Sequence, residues 1–294
     1  MSATATRPRE SNRHPELRAQ IGPVEVDTLP RESLIENILD RALYGSFTHH
    51  VATVNAQFYV LAESDRVFRD CLKRAEFVCA DGVSIGFATN ILTGHRIERL
   101  AGVDLLDEIC RRGAPYGLRV FLLGGRPGSA VCLSEMLKRR YPGLEVAGTA
   151  CPAFGFGKSA DSLSEVLEAV HTVRPHVVFV ALGAPKQELF IDQYIRNLRI
   201  PVAVGVGGSF EIITGVTRRA PRVVQRAGVE WFYRLCQEPR RLWRRYILGN
   251  PRFLWIMASY WFARRRTVLA SSSDGEPQRG GPVGTRRPTV RPIS

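Results

Sequence analysis

The chain has 294 residues, 45% of them hydrophobic, enough to fill one large core or two small ones and to fold as a globular protein. Forty-one Lys and Arg against 28 Asp and Glu leave a net charge of +13, which excludes an acidic scaffold and points to a polyanionic partner: nucleic acid, anionic lipid or a phosphorylated substrate. The six cysteines, Cys71, Cys79, Cys110, Cys132, Cys151 and Cys236, form no C-x-x-C pair, which argues against zinc ribbons, redox dithiols and a dense disulfide framework and for a reduced, cytosolic compartment.

Residues 1–20 are polar and mixed in charge, lack the apolar run of about 7–15 residues of a secretory signal, and read as a disordered N-terminal tail. From Ile21 onward, short β-branched runs alternate with amphipathic stretches, the pattern of a sheet whose strands are joined by helical crossovers. The predicted strands are 51–54, 77–80, 119–123, 144–147, 177–181 and 202–206, and the predicted helices are 33–44, 84–92, 103–112, 129–140, 162–173 and 186–197. Several strands are apolar at every position, as burial on both faces requires. The expected fold class is α/β: a Rossmann-like, mainly parallel sheet covered by helices on both faces over residues 21–214, followed by a C-terminal helical appendage over 215–266.

Between Thr217 and Arg266 stand 13 Arg, no Lys and two acids, Glu230 and Glu238, a net +11 of the chain's +13. All four tryptophans, Trp231, Trp243, Trp255 and Trp261, fall in the same stretch. Arginines and aromatic rings together suit the headgroup level of an anionic membrane. A solvated basic face packed on the core and a single-strand nucleic-acid platform are the other readings of that composition. The longest apolar stretch, 253–263, is well short of the ~20 residues of a spanning helix, so the segment should lie on a membrane rather than cross it. A chain cut after Arg219 is expected to keep its sheet. Residues 267–294, rich in Gly, Pro, Ser and Arg, read as a second disordered tail.

Open parallel sheets bind ligands at the carboxyl ends of their strands, and five such places carry informative residues. Thr53 and Asn55 end the first strand with a hydroxyl and an amide. Asp81-Gly82 puts a carboxylate at a strand tip, either as a general base or as a turn that caps the next helix. Gly124-Gly125 precedes a helix and offers backbone N–H groups to an anion, or simply makes a tight turn. Lys186 and Gln187, after Gly183-Ala184-Pro185, can face a sugar nucleotide, although Pro185 at a helix start is sufficient structural explanation. Gly207 and Gly208 allow close backbone approach, and Glu211 can accept hydrogen bonds from a ribose diol. The sequence has no G-x-G-x-x-G after a strand, no Walker motif, no H-E-x-x-H, no G-x-S-x-G and no D-x-D, and its six histidines have no metal-ligand spacing. No metal site and no cofactor are therefore expected, and diphosphate charge would fall to arginine and backbone dipoles.

Seven motifs in one order carry a resemblance: Thr53-x-Asn55, Asp81-Gly82, Arg99-x-x-Gly102-x-Asp104, Leu123-Gly124-Gly125, Gly183-x-Pro185-Lys186-Gln187-Glu188, Gly205-Val206-Gly207-Gly208, and Arg219-Ala220-Pro221 followed by Glu230-Trp231-x-Tyr233-Arg234 and Glu238-Pro239-Arg240-Arg241. From about Ile21 to Tyr246 the chain resembles the WecG/TagA/CpsF glycosyltransferases, glycosyltransferase family 26. The resemblance implies an inverting, metal-independent transfer from a UDP-sugar of the N-acetylmannosamine, N-acetylmannosaminuronic acid or glucose type. The implied acceptor is a polyprenyl-diphosphate-linked saccharide, in bacterial cell-surface polysaccharide synthesis, with the enzyme peripherally bound to the inner face of the plasma membrane. It also implies that Asp81 is the catalytic base, that Thr53 and Gln187 lie near the reacting groups, and that Arg234, Arg241 and Arg244 of the appendage serve the diphosphate. Asn55, Arg99, Gly124, Gly125, Lys186, Gly207, Gly208 and Glu211 are the expected nucleotide contacts, with Glu211 standing where the family often has Asp. No nucleic-acid partner is expected; the alternative function is a non-catalytic nucleotide- or RNA-binding module.

Overall fold

Six strands, β3 (His49–Val54), β4 (Phe77–Ala80), β5 (Arg119–Gly124), β6 (Glu145–Ala150), β7 (Val177–Ala181) and β8 (Val202–Gly205), form one all-parallel sheet in the order β4-β3-β8-β7-β5-β6. The structure is a computed structural model that describes residues 17–153 and 155–273. The tails expected at either end therefore lie largely outside the described residues. The chain runs from β3 outward to β4 and then crosses to β5, so the strand order reverses about the middle of the sheet and opens a crevice at the carboxyl ends there.

The sheet is covered on both faces because its strands alternate apolar side chains between two cores. Val120 and Leu122 point into the layer under α1 (Arg31–Tyr44), α5 (Gly102–Gly113) and α6 (Ser129–Arg140), whereas Phe121 and Leu123 enter the layer under α7 (Ala160–Thr172) and α8 (Lys186–Gln193). Two helices missed in the sequence, α2 (Ala56–Ser64) and α3 (Arg66–Arg74), fill the crossover between β3 and β4. Each starts on a side-chain cap: Asn55 Oδ1 accepts from Gln57 N–H at 3.0 Å and Asp65 Oδ1 from Phe68 N–H at 3.1 Å. Helix α4 (Val83–Thr93) then leads away from β4.

Residues 18–20, assigned to the tail by composition, are ordered. They belong to a hairpin, β1 (Arg18–Ile21) and β2 (Val24–Asp27), that covers the outer edge of β4. Asp27 makes the join. Its Oδ2 accepts the Val78 N–H at 2.6 Å, its Oδ1 accepts from Arg18 Nε at 2.7 Å, and Arg18 also donates to the Ala75 and Glu76 carbonyls. An edge strand that would expose its ladder groups is thus closed by a buried ion pair.

After α9 (Ser209–Ile213) the chain forms α10 (Arg222–Arg226), α11 (Glu230–Gln237), α12 (Pro239–Trp243), a wide i→i+5 turn over Arg244–Leu248, and α13 (Gly249–Ser273), which runs past the expected limit at 266. Helix α13 is not a separable arm. Phe253 and Ile256 are buried, Phe253 meets the Tyr59 ring edge-on at 5.4 Å, and Ile256 packs on Gly22 of the hairpin. Contrary to the expectation for a chain cut after Arg219, removing this helix uncovers the core over α2 and the hairpin. Among the described residues no helix is long and apolar enough to cross a membrane.

Replacing Asp27 with Ala leaves the Val78 N–H and Arg18 without their carboxylate. The expected loss is about 3 kcal/mol, the low end for a broken buried ion pair because Arg18 keeps two carbonyl acceptors. Denaturant unfolding measures it, and a loss near zero would separate the hairpin from the stability of the sheet.

Candidate active site

The carboxyl ends of β3, β4, β5, β7 and β8 surround a cavity of about 410 Å³. Thr53, Asn55, Asp81, Arg99, Gly125, Gln187, Gly207, Gly208, Glu211 and Arg234 all line it, although they are spread over 182 positions of sequence. Several are held by their own bonds. Thr53 Oγ1 donates to the Gly205 carbonyl at 2.8 Å. Gln187 Oε1 accepts the Gly183 and Gly207 N–H groups, both at 3.0 Å, and so ties the loops after β7 and β8 together. Gln187 Nε2 donates to the buried Glu188 Oε1 at 2.7 Å. Only glycine fits at 205 beneath this pair, since a Cβ there would lie 2.7 Å from both Gln187 Nε2 and Glu188 Oε1. Glu211 accepts the Arg126 N–H at 2.6 Å and the Ser129 hydroxyl at 3.4 Å, so its carboxylate fixes the loop after β5.

Asp81 ends β4 and is anchored through its own N–H, which donates to the Val54 carbonyl at 2.7 Å. Arg99 Nη2 stands 3.8 Å from Asp81 Oδ1 and 2.8 Å from Glu230 Oε2, and Glu230 Oε1 holds Arg234 Nη2 at 3.1 Å. A charge chain, Asp81 to Arg99 to Glu230 to Arg234, therefore links the strand tip to the appendage. Burial pushes the Asp81 carboxyl above the ordinary carboxylate range, Arg99, Arg234 and Arg245 oppose the rise, and Glu230 adds to it. A carboxylate with its affinity for protons raised in a cleft is suited to take a proton from a hydroxyl. Asp81 also borders a second, smaller cavity of about 120 Å³, walled by α4, the loop at Gly228, and Trp231 and Tyr246 of the appendage.

Three expected contacts are placed elsewhere. Gly124 does not line the cavity; it is needed by the sheet, with φ at +95° and a would-be Cβ 2.8 Å from the Ala181 carbonyl oxygen. Lys186 is exposed on the first turn of α8 and does not line the cavity. Arg244 is exposed and its guanidinium stacks over Trp243, 5.3 Å from the ring centre. Arg241 lies on α12, and its side chain is outside the described part of the structure. Arg245, which the sequence did not single out, faces both cavities, as do Asp81, Arg99, Glu230 and Arg234. The wide turn over Arg244–Leu248 follows α12 directly, so Arg244 and Arg245 stand at its start. Glu230 was legible only as part of a motif, and Arg126, which lines the larger cavity and ion-pairs with Glu238, carried no sequence signal. Among the described residues no group of three or more His, Cys, Asp or Glu side chains is placed to hold a metal ion.

A parallel sheet with glycine loops at a strand-order reversal, a carboxylate at one strand tip and an arginine-rich wall form a cleft suited to an anionic ligand. The model of the glycosyl transferase WecG/TagA/CpsF family matches residues 19–267, and the chain belongs to that family. It is similar to the N-acetylglucosaminyldiphosphoundecaprenol N-acetyl-beta-D-mannosaminyltransferases of Bacillus spizizenii strain W23 and Bacillus subtilis strain 168. The first is 33% identical over 204 residues, 69% of this chain and 76% of that protein. The second is 31% identical over 203 residues, again 69% and 76%.

Glu188 supplies a test of how the cleft is supported. It is wholly buried, its Oε2 has no hydrogen-bond partner, and burial pushes its carboxyl up from 4.5 to about 8, against the hydrogen bond from Gln187. The unfolded chain therefore releases this proton from about pH 4.5 while the folded chain keeps it until about pH 8, so the group costs stability as pH rises across that window. Glu188→Gln removes the titration and keeps an acceptor for Gln187. Denaturant melts should show the variant gaining on the native chain between pH 4.5 and 8, by roughly 3–5 kcal/mol at the upper end. A difference independent of pH would mean that Glu188 does not change ionisation on folding.

Proposed function

We propose that this glycosyltransferase moves N-acetylmannosamine, or a closely related sugar, from UDP to a saccharide carried on a polyprenyl diphosphate, with inversion and without a metal ion. The observation that carries the reading is Asp81, which stands on the common wall of the two cavities. The larger one, ringed by the glycine loops, suits the UDP-sugar, and the smaller, walled by the appendage, suits the acceptor saccharide. The names of the two Bacillus relatives, N-acetylmannosaminyltransferases acting on N-acetylglucosaminyldiphosphoundecaprenol, support the sugar and the lipid-linked acceptor.

In this mechanism Asp81 takes the proton of the acceptor hydroxyl, whose oxygen bonds to the anomeric carbon from the face opposite the diphosphate. The bond from that carbon to the diphosphate oxygen breaks, and its electron pair leaves with UDP. Arg99, Arg126, Arg234 and Arg245 line the donor cavity, where they can neutralise the departing charge as a metal does in other transferases. The N–H groups of Gly207 and Gly183 are already occupied by Gln187, so the arginines carry most of this task. Inversion follows from one displacement with base and leaving group on opposite sides of the sugar. The net +11 of residues 217–266 supports placement at the anionic inner face of the plasma membrane, with the appendage lying on the surface.

Asp81→Asn keeps the shape of the side chain and removes its basicity. Assayed in EDTA with a UDP-sugar and a lipid-diphosphate-linked acceptor, the native chain should turn over and the variant should be slower by about 10²–10⁴, with UDP affinity little changed. Near-full turnover by the variant would reduce Asp81 to a turn residue. Loss of native activity in EDTA, restored by Mg²⁺, would remove the arginines from the role given to them.

A further inference from the structure

Helix α4 starts two residues after Asp81 and contains no Asp, Glu, Lys or Arg from Val83 to Thr93. Its inner face, Ile85, Ala88 and Leu92, is buried in the same core as Phe253 of α13. Its outer face carries Val83, Phe87 and Ile91 at i, i+4 and i+8, with Phe87 68% and Ile91 55% exposed. Single exposed hydrophobes are ordinary, but an aligned row on an uncharged helix is not a solvated face.

The row is continuous with the appendage. Gly228, in the turn before α11, packs on Val83, its would-be Cβ 3.6 Å from the Val83 Cβ. Beyond that turn lie exposed Val229, Trp231 and Phe232, within the 50 residues that hold nearly all the net charge. A second copy of the chain on this face would set +11 beside +11, whereas an anionic bilayer neutralises the charge and accepts the apolar row. We infer that the outer face of α4 is a second membrane contact, seated with Phe87 and Ile91 in the acyl boundary of an anionic bilayer next to the Arg-rich appendage. Such seating holds the end of β4, and with it Asp81, at headgroup level, where a lipid-linked diphosphate is presented. The inference rests on the proposed membrane role of the appendage and adds to it the element that fixes the height of the cleft.

Co-sedimentation with vesicles of equimolar phosphatidylglycerol and phosphatidylcholine, at low and at high salt, tests it. Salt screens the arginine contribution and leaves the apolar one. The full chain should keep a salt-resistant component of binding, and F87S/I91S, which adds no charge and alters only exposed positions outside both cavities, should weaken that component about tenfold or more. The variant should retain turnover on a short, water-soluble acceptor, which shows that it is folded. Equal vesicle affinity for variant and native chain at both salts overturns the role of α4 alone. Absence of binding by the native chain overturns the appendage reading as well. Native self-association in sedimentation velocity, lost in the variant while vesicle affinity is unchanged, overturns the inference in favour of a second copy.

Discussion

The structure turns on one carboxylate kept half out of water. Asp81 sits where a parallel strand ends, in a place whose burial favours its protonated form. Arg99 is the counter-charge at 3.8 Å, and it does not belong to Asp81 alone, because Glu230 binds it a full ångström closer. That asymmetry matters. A tight Asp81–Arg99 pair would stabilise the carboxylate and depress its basicity, while no cation at all would leave burial unopposed in favouring the protonated acid. By sharing Arg99 with Glu230, the cleft holds Asp81 between those limits and makes its basicity depend on the appendage.

In the proposed mechanism the appendage is consequently part of the chemistry as well as of the surface. Glu230 anchors Arg99 and Arg234 together, and Arg245 reaches both cavities from the wide turn that follows α12. Phe253 and Ile256 seat its last helix on the core, so these arginines stand on a packed element rather than a loose tail. Behind the cleft the logic is different. Glu188 keeps its proton, Gln187 spans two glycine loops, and Gly205 leaves the room that both need. This neutral layer orients the loops without adding charge beneath the cleft.

Much of this was legible in the sequence, for identifiable reasons. Strands such as 177–181 announce themselves because they are buried on both faces and so apolar throughout. The strand-tip residues were legible because a parallel sheet presents its carboxyl ends to ligands, whatever the ligand is. The hairpin at 18–27 was not, because its strands are four residues long, with only two apolar core positions each, and their join to the β4 edge is made by the Arg18 and Asp27 side chains. Helix α2 was missed because its apolar positions are covered from several sides, by the sheet and by α13, which erases the amphipathic period. Arg245 was missed because it is one of 13 Arg between Thr217 and Arg266, and only the fold shows which of them face the cavities.

The central claim is that Asp81 acts as a base whose proton affinity is set between burial and Arg99. The pH dependence of kcat/KM for the native chain and for Arg99→Gln tests it most directly, because the position of the acidic limb is independent of how much activity the variant loses. The account predicts an acidic limb above the ordinary carboxylate range in the native enzyme, moved to still higher pH in Arg99→Gln, where the opposing cation is gone. An acidic limb at the same pH in both proteins would contradict it.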